Sequence, residues 1–394
     1  MNANFFPYAH QSINADDMHA VNAALSGDVI TRGAHVEAFE AAIAAYCGAK
    51  YAVAFNSATT ALAAACHAVD LDSTDRMLTT PNSFVATTAA GMHKGAIPVF
   101  VDIDRSTGNM NIDLLEHNLK DYQHSRGRTL IMPVHFGGIP VDMEYMDCMI
   151  NDPDTLVIED AAQALGSCYP DGQKVGCCAW SQMTVFSFHP AKVITTGEGG
   201  MVTTNDSELY HRLQSYRNNG IVRDPALFQS PSSDHYEGYY EVAELTGNYN
   251  FTDFQAALGL SQFKRIDSFI EKRRELVARY RELLQGLPHV KTFTSSMDPY
   301  IAFHLFVVQI DFAAWKTTRE RVMTFLKKKG IGTQVHYIPI YQHPFFKGVN
   351  ADLAPYFPEM EAYYAQALTL PLYYDLTEEN VEFIVSTLKK ALKA

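Results

Sequence analysis

One lysine, Lys192, stands in the run Phe186-Ser187-Phe188-His189-Pro190-Ala191-Lys192-Val193-Ile194-Thr195-Thr196-Gly197-Glu198-Gly199-Gly200. The apolar residues Met183 to Phe188 read as the end of a strand that turns polar at Ser187 and His189. A glycine-rich turn then leads into a second strand, Met201-Val202-Thr203-Thr204. A lysine held between two short strands, beside a hydroxyl, has little freedom to wander into solvent. Its amine can attack a carbonyl and form a Schiff base. A lysine taken at random is far more often a surface residue, so the chemistry depends on what the rest of the chain sets beside it.

The elements that would position Lys192 alternate along the chain. Tyr51-Ala52-Val53-Ala54-Phe55 reads as a buried strand, Asn56 to Thr59 as a turn, and Thr60 to Val69 as a helix of small residues. Strands follow at Met77–Thr80, Ile97–Val101, Thr129–Val134, Leu156–Ile158 and Thr184–Phe188, with helical stretches between them, Val85 to Lys94 being the clearest. Such alternation predicts an α/β fold with a mostly parallel sheet covered on both faces, and ligands of such sheets sit beyond the carboxyl ends of the strands. Ser57, Asn82, His135, Asp160, Gln163, Ser187 and Lys192 all fall at those ends. Any one of them alone is more often a cap or turn residue; together they mark a site. Further on, a long helix is expected over Asp253 to Leu284. Strands at His304–Ile310 and near Thr333–Tyr337, and helices at Arg319–Lys329 and Glu378–Leu392, then suggest a smaller α+β domain. The division expected is 1–255 for the larger domain and 256–394 for the smaller.

Composition narrows the function. With 394 residues, 31 basic against 44 acidic side chains and a formal net charge of −13, the chain lacks the basic face that nucleic acid or an anionic membrane requires. Cys47, Cys66, Cys148, Cys168, Cys177 and Cys178 are scattered without zinc or disulfide spacing, which predicts reduced thiols and a cytoplasmic location. Met1 to Gln11 lacks the features of a secretory leader, and no apolar run is long enough to span a bilayer. The 15 histidines show no ligand spacing on one element, so no metal site is expected.

A Schiff-base lysine calls for an aldehyde cofactor, and pyridoxal 5′-phosphate has three further needs: a phosphate cradle, a stacking face and a carboxylate for its ring nitrogen. Ser57-Ala58-Thr59 at a helix start, with Ser187, can supply the cradle. Phe84 can supply the face and Asp160 the carboxylate. Gln163, one helical turn beyond Asp160, can reach the 3′ oxygen. Ser57 or Thr59 can equally be a plain helix cap, and so can Asp160.

The same segments resemble the DegT/DnrJ/EryC1/StrS family of sugar aminotransferases over nearly the whole chain. The likeness rests on Ile30-Thr31-Arg32-Gly33, Asn56-Ser57-Ala58-Thr59-Thr60-Ala61-Leu62 and Phe84-Val85-Ala86-Thr87. It continues through Pro133-Val134-His135-Phe136-Gly137-Gly138, Glu159-Asp160-Ala161-Ala162-Gln163, Ser187 to Lys192, His336-Tyr337-Ile338-Pro339 and Leu370-Pro371-Leu372. The resemblance implies a fold type I, aspartate-aminotransferase-like enzyme, with a large seven-stranded domain and a smaller C-terminal one. It implies Lys192 as the catalytic Schiff-base residue and Asp160 at the pyridine nitrogen. Gln163 would meet the 3′ oxygen, Phe84 the ring, and Ala58, Thr59 and Ser187 the phosphate. Asn248 would reach the phosphate of a neighbouring subunit, which implies a homodimer with sites at its interface.

Within the family, the Lys192 segment and Gly332 to Pro339 look most like the transaminases of pseudaminic acid synthesis. These place an amine from glutamate at C4 of a UDP-linked 4-keto-6-deoxy sugar. His336, Tyr337 and Glu198 are then substrate candidates. Asn250 and Asn219 depart from the arginine and histidine common at these points in the family. A non-catalytic binding protein on the same fold is opposed by Lys192, Asp160 and Gln163. A nicotinamide-dependent oxidoreductase is opposed by Asn56-Ser57-Ala58-Thr59 where a Gly-x-Gly-x-x-Gly turn would stand.

Overall fold

Seven short strands, β1 (Tyr51–Phe55), β2 (Arg76–Thr79), β3 (Ile97–Phe100), β4 (Thr129–Met132), β5 (Leu156–Asp160), β6 (Met183–Ser187) and β7 (Gly200–Thr204), form the main sheet. The computed structural model describes residues 5–122, 127–231, 236–293, 297–348 and 352–394; the first four residues of the stretch read for a leader lie outside it. Strand order is β1-β7-β6-β5-β4-β2-β3. The pairs from β6 through β3 are parallel, while β7 runs antiparallel to both β1 and β6. Six strands therefore deliver their carboxyl ends to one edge. Central strands are buried along their whole length, as expected where helices cover both faces. Each expected strand of this sheet forms within two residues of its expected bounds.

A two-stranded ribbon, β8 (Ile221–Val222) with β9 (Glu241–Val242), follows the sheet. Beyond it, β10 (Val290–Thr292), β11 (Phe306–Ile310) and β12 (Ala367–Leu370) make a three-stranded antiparallel sheet, the α+β unit expected. The helix Ile266–Leu284 joins the two parts. Ile266, Phe269 and Ile270 sit in the core of the large sheet, whereas Leu276, Val277, Tyr280 and Leu284 sit in that of the small one.

Two expectations need correction. The long helix over Asp253 to Leu284 is two helices, Asp253–Phe263 and Ile266–Leu284. The break falls where Arg265 turns its guanidinium to buried Asp17, at 2.6 Å, next to the bonds that Ser261 and Gln262 give the same carboxylate. The strand near Thr333–Tyr337 reduces to a single bridge between Gln334 and Thr369, because the Tyr337 N–H is drawn to Asn82 Oδ1 instead. Among the described residues no helix is long and apolar enough to cross a membrane, and all six cysteines are free thiols.

Candidate active site

The corner between β1 and the helix Ala58–Ala68 is built by backbone. Ser57 is extended (φ −161°, ψ 160°), and its Oγ accepts from Thr60 N at 3.2 Å, capping the helix Ala58–Ala68. Its hydroxyl thus serves as the cap, which leaves the N–H groups of Ala58 and Thr59 without in-helix acceptors, an arrangement that suits an anion. Gly200 closes the corner: a Cβ there would come within 2.6 Å of Ala58 N and 2.5 Å of Ser57 O. Ser187 pairs with Gly200 across β6 and β7, so its buried side chain belongs to the same corner.

Asp160 ends β5 almost fully buried. Its Oδ2 accepts from Thr87 Oγ1 at 2.6 Å and its Oδ1 from Ala162 N at 3.1 Å. Thr87 lies one turn into the helix that Phe84 caps, and the Phe84 ring is 60% exposed, an apolar face that the fold leaves uncovered. Gln163 accepts from Gly137 N at 2.7 Å through Oε1 and donates from Nε2 to the Tyr337 hydroxyl at 2.8 Å.

Lys192 is half-buried, and among the described residues its amine has no hydrogen-bond or ion-pair partner. Burial pushes its pKa down to about 8, while the charge of nearby Asp160 pulls the other way. An unpaired lysine with a depressed pKa, beside one buried carboxylate, is the state in which an amine is nucleophilic near neutral pH.

The substrate candidates separate. His336 Nδ1 lies 2.8 Å from Thr369 Oγ1, and burial, with the charge of Lys192, pushes its pKa down to about 3, so it stays neutral. The phenol of Tyr337 meets Gln163. The Glu198 side chain is exposed; its carbonyl accepts from Thr196 Oγ1 at 2.7 Å and Gln255 Nε2 at 2.8 Å. Asn248 is exposed, and its Oδ1 accepts from Asn250 N at 3.2 Å and Asn250 Nδ2 at 2.9 Å. Asn219 adopts φ 59°, a left-handed conformation that asparagine tolerates well.

His135 does not join the site. Fully buried, it lies with Nε2 2.8 Å from Glu159 Oε2, while its Nδ1 accepts from Val141 N at 3.0 Å. Accepting at Nδ1 leaves Nε2 as the donor. Ser181, Thr184 and Tyr169 also donate to Glu159. Although burial opposes it, this donor set holds the Glu159 carboxyl below its usual range.

Sequence reasoning also passed over Thr87 and His304. His304 is 4% exposed, and its Nδ1 has no partner among the described residues. Burial, then the charges of Lys192 and Arg273, hold its pKa well below normal. Its position in the apolar run Ile301-Ala302-Phe303-His304-Leu305 was the available signal. No group of side chains among the described residues could hold a metal ion.

The donor set fits pyridoxal phosphate. It offers backbone N–H groups at a corner that a Cβ would fill, an uncovered aromatic face, one buried carboxylate and an unpaired amine. Comparison with known proteins agrees. The profile of the DegT/DnrJ/EryC1/StrS aminotransferase family matches residues 11–389. The spore coat polysaccharide biosynthesis protein SpsC of Bacillus subtilis is 34% identical over 99% of this chain and 97% of its own. A UDP-4-amino-4,6-dideoxy-N-acetyl-beta-L-altrosamine transaminase of Campylobacter jejuni is 33% identical over 98% of this chain and 97% of its own. Among solved structures, Helicobacter pylori PseC, an aminotransferase of pseudaminic acid biosynthesis, superposes with a TM-score of 0.86 at 29% identity, over 99% of both chains. The PLP form of the sugar aminotransferase Spr1654 of Streptococcus pneumoniae gives 0.87 at 25% identity, over 99% of both. By sequence, fold and site chemistry alike, this chain belongs to the DegT/DnrJ/EryC1/StrS aminotransferase family and is a pyridoxal-phosphate-dependent sugar aminotransferase of fold type I.

Proposed function

We propose that the enzyme moves an amino group from glutamate to the C4 ketone of a nucleotide-linked 4-keto-6-deoxy sugar, UDP-2-acetamido-2,6-dideoxy-β-L-arabino-hex-4-ulose. The likeness to the Campylobacter transaminase and to PseC supports this sugar. The observation that carries the chemistry is the unpaired Lys192 amine, with its pKa near 8, beside buried Asp160.

Bound pyridoxal phosphate supplies an aldehyde for amines and a ring that stores the electron pair left when a C–H bond breaks. The Lys192 amine would hold the aldehyde and, when free, would be the base that moves a proton at the substrate carbon. Asp160, kept in place by Thr87 and by the Ala162 N–H, would hold a proton at the ring nitrogen. Phe84 would pack on the ring and Gln163 would meet its oxygen. Ala58, Thr59 and Ser187 would hold the phosphate, with Ser57 shaping the helix start. His336, neutral at working pH, Tyr337 and Glu198 border the sugar. Exposed Asn248 reaches the phosphate of a second copy in a homodimer, and the free thiols suit the cytoplasm.

Incubation with glutamate and a panel of UDP- and dTDP-linked keto sugars tests the proposal, with the new amine located by NMR. Amination at C4 of the UDP sugar is expected; turnover confined to other sugars would overturn it. The likeness to SpsC, at 34% identity, favours a second reading, amination at C4 or C3 of another UDP- or dTDP-linked keto sugar.

A further inference from the structure

The Gln163 amide has two hydrogens to give and two lone pairs to accept with, and the fold has assigned one of each. Its Oε1 is occupied by the Gly137 N–H at 2.7 Å, so its amide turns its NH2 group toward the site. One Nε2 hydrogen goes to the Tyr337 hydroxyl at 2.8 Å. The other remains for the ring oxygen of the cofactor.

Tyr337 itself is locked on several sides. Its backbone N–H donates to Asn82 Oδ1 at 3.2 Å, its ring stands edge-on to Phe136 at 6.1 Å, and the carbonyl of the preceding His336 accepts from Tyr363 at 2.7 Å. Gly137 is fixed as well, since its carbonyl accepts from His304 N at 2.8 Å.

We infer that Tyr337 is a positioning residue for the cofactor: by accepting one Nε2 hydrogen, its hydroxyl decides where the other points, so the segment that bridges to β12 through Gln334 sets the aim of Gln163. Burial, then the charge of Asp160, raises the Tyr337 phenol far above its ordinary range. It therefore stays protonated, with its own hydrogen free to turn away and its lone pairs facing Gln163. This inference rests on the reading of Gln163 as a cofactor contact and goes beyond the expectation that Tyr337 touches substrate.

The test needs no sugar, so a wrong sugar assignment leaves it intact. Pyridoxal phosphate is stripped from the purified enzyme and titrated back, followed by visible absorbance, in wild type, Tyr337→Phe, Gln163→Ala and the double variant. Tyr337→Phe keeps the ring against Phe136, and thermal melting of the apoenzymes checks that each variant folds. Tyr337→Phe is expected to raise the dissociation constant about five- to tenfold, the scale of one buried hydrogen bond. Gln163→Ala is expected to raise it at least as much, and the double variant no further than Gln163→Ala alone. Wild-type affinity in Tyr337→Phe, or single effects that multiply in the double variant, would overturn the inference. Unchanged affinity in Gln163→Ala would remove the cofactor contact and the inference with it.

Discussion

The Thr87 hydroxyl lies 2.6 Å from Asp160 Oδ2 and 3.1 Å from the Phe84 carbonyl. It has one proton to donate, and the shorter distance and the negative charge aim that hydrogen bond at Asp160. The turn that presents the exposed ring is thereby joined to the carboxylate.

Asp160→Ala is expected to lower turnover on the order of 100-fold or more, as loss of a preorganised charge does. Its thermal stability should change little, because the lost backbone contact is worth only about 1 kcal/mol. Thr87→Val should cost about tenfold in turnover by freeing the carboxylate to rotate. Steady-state rates measured beside melting curves check both; an Asp160→Ala protein that merely unfolds would make this carboxylate a structural cap.

Lys192→Ala should abolish turnover and the visible band of the lysine-bound cofactor, while the protein still folds. Full activity in that variant would remove Lys192 from the chemistry.

The Lys192 amine, pushed down to about 8, attacks an aldehyde only when unprotonated. Uptake of pyridoxal phosphate by the apoenzyme should therefore speed up as pH rises and level off above about 8. Stability follows the same sign. The unfolded lysine, near 10.4, binds more protons than the folded one between the two values, so this residue's contribution to apoenzyme stability rises across that window. Stopped-flow uptake rates from pH 6.5 to 9.5 would show the midpoint, and one near 10 would contradict it.

Glu159→Ala should destabilise the fold by roughly 3–5 kcal/mol, since it strands the donors of His135, Ser181, Thr184 and Tyr169 in a dry interior. Urea unfolding checks this. Gly138→Ala should cost roughly 2–3 kcal/mol: Gly138 sits at φ 95°, and a Cβ there would lie 2.2 Å from the Ala302 carbonyl oxygen.

Much of this was legible because strand ends are written locally. Apolar runs such as Thr129–Met132 followed by polar residues mark both the strand and its functional edge, and Asp160, Gln163, Ser187 and Lys192 all lie there. The direction of a side chain within an edge is not local. His135 stands at such an end yet turns to Glu159, because Val141 and Glu159 together satisfy its ring. Thr87 reads as one more small helix residue until β5 brings Asp160 against it. The break before Ile266 was hidden for the same reason: its cause, Asp17, lies at the other end of the chain. The short strand β12 was missed in Ala367–Leu370, four residues before a proline, which carry too little pattern to separate strand from coil.

The pairing of Ser187 with Gly200 has a mechanical consequence. The Lys192 loop leaves and re-enters the large sheet at one rung of the ladder, so both its feet ride on the same rigid body. If the second sheet rocks against the first to admit a sugar or release a product, the amine keeps its distance from Asp160.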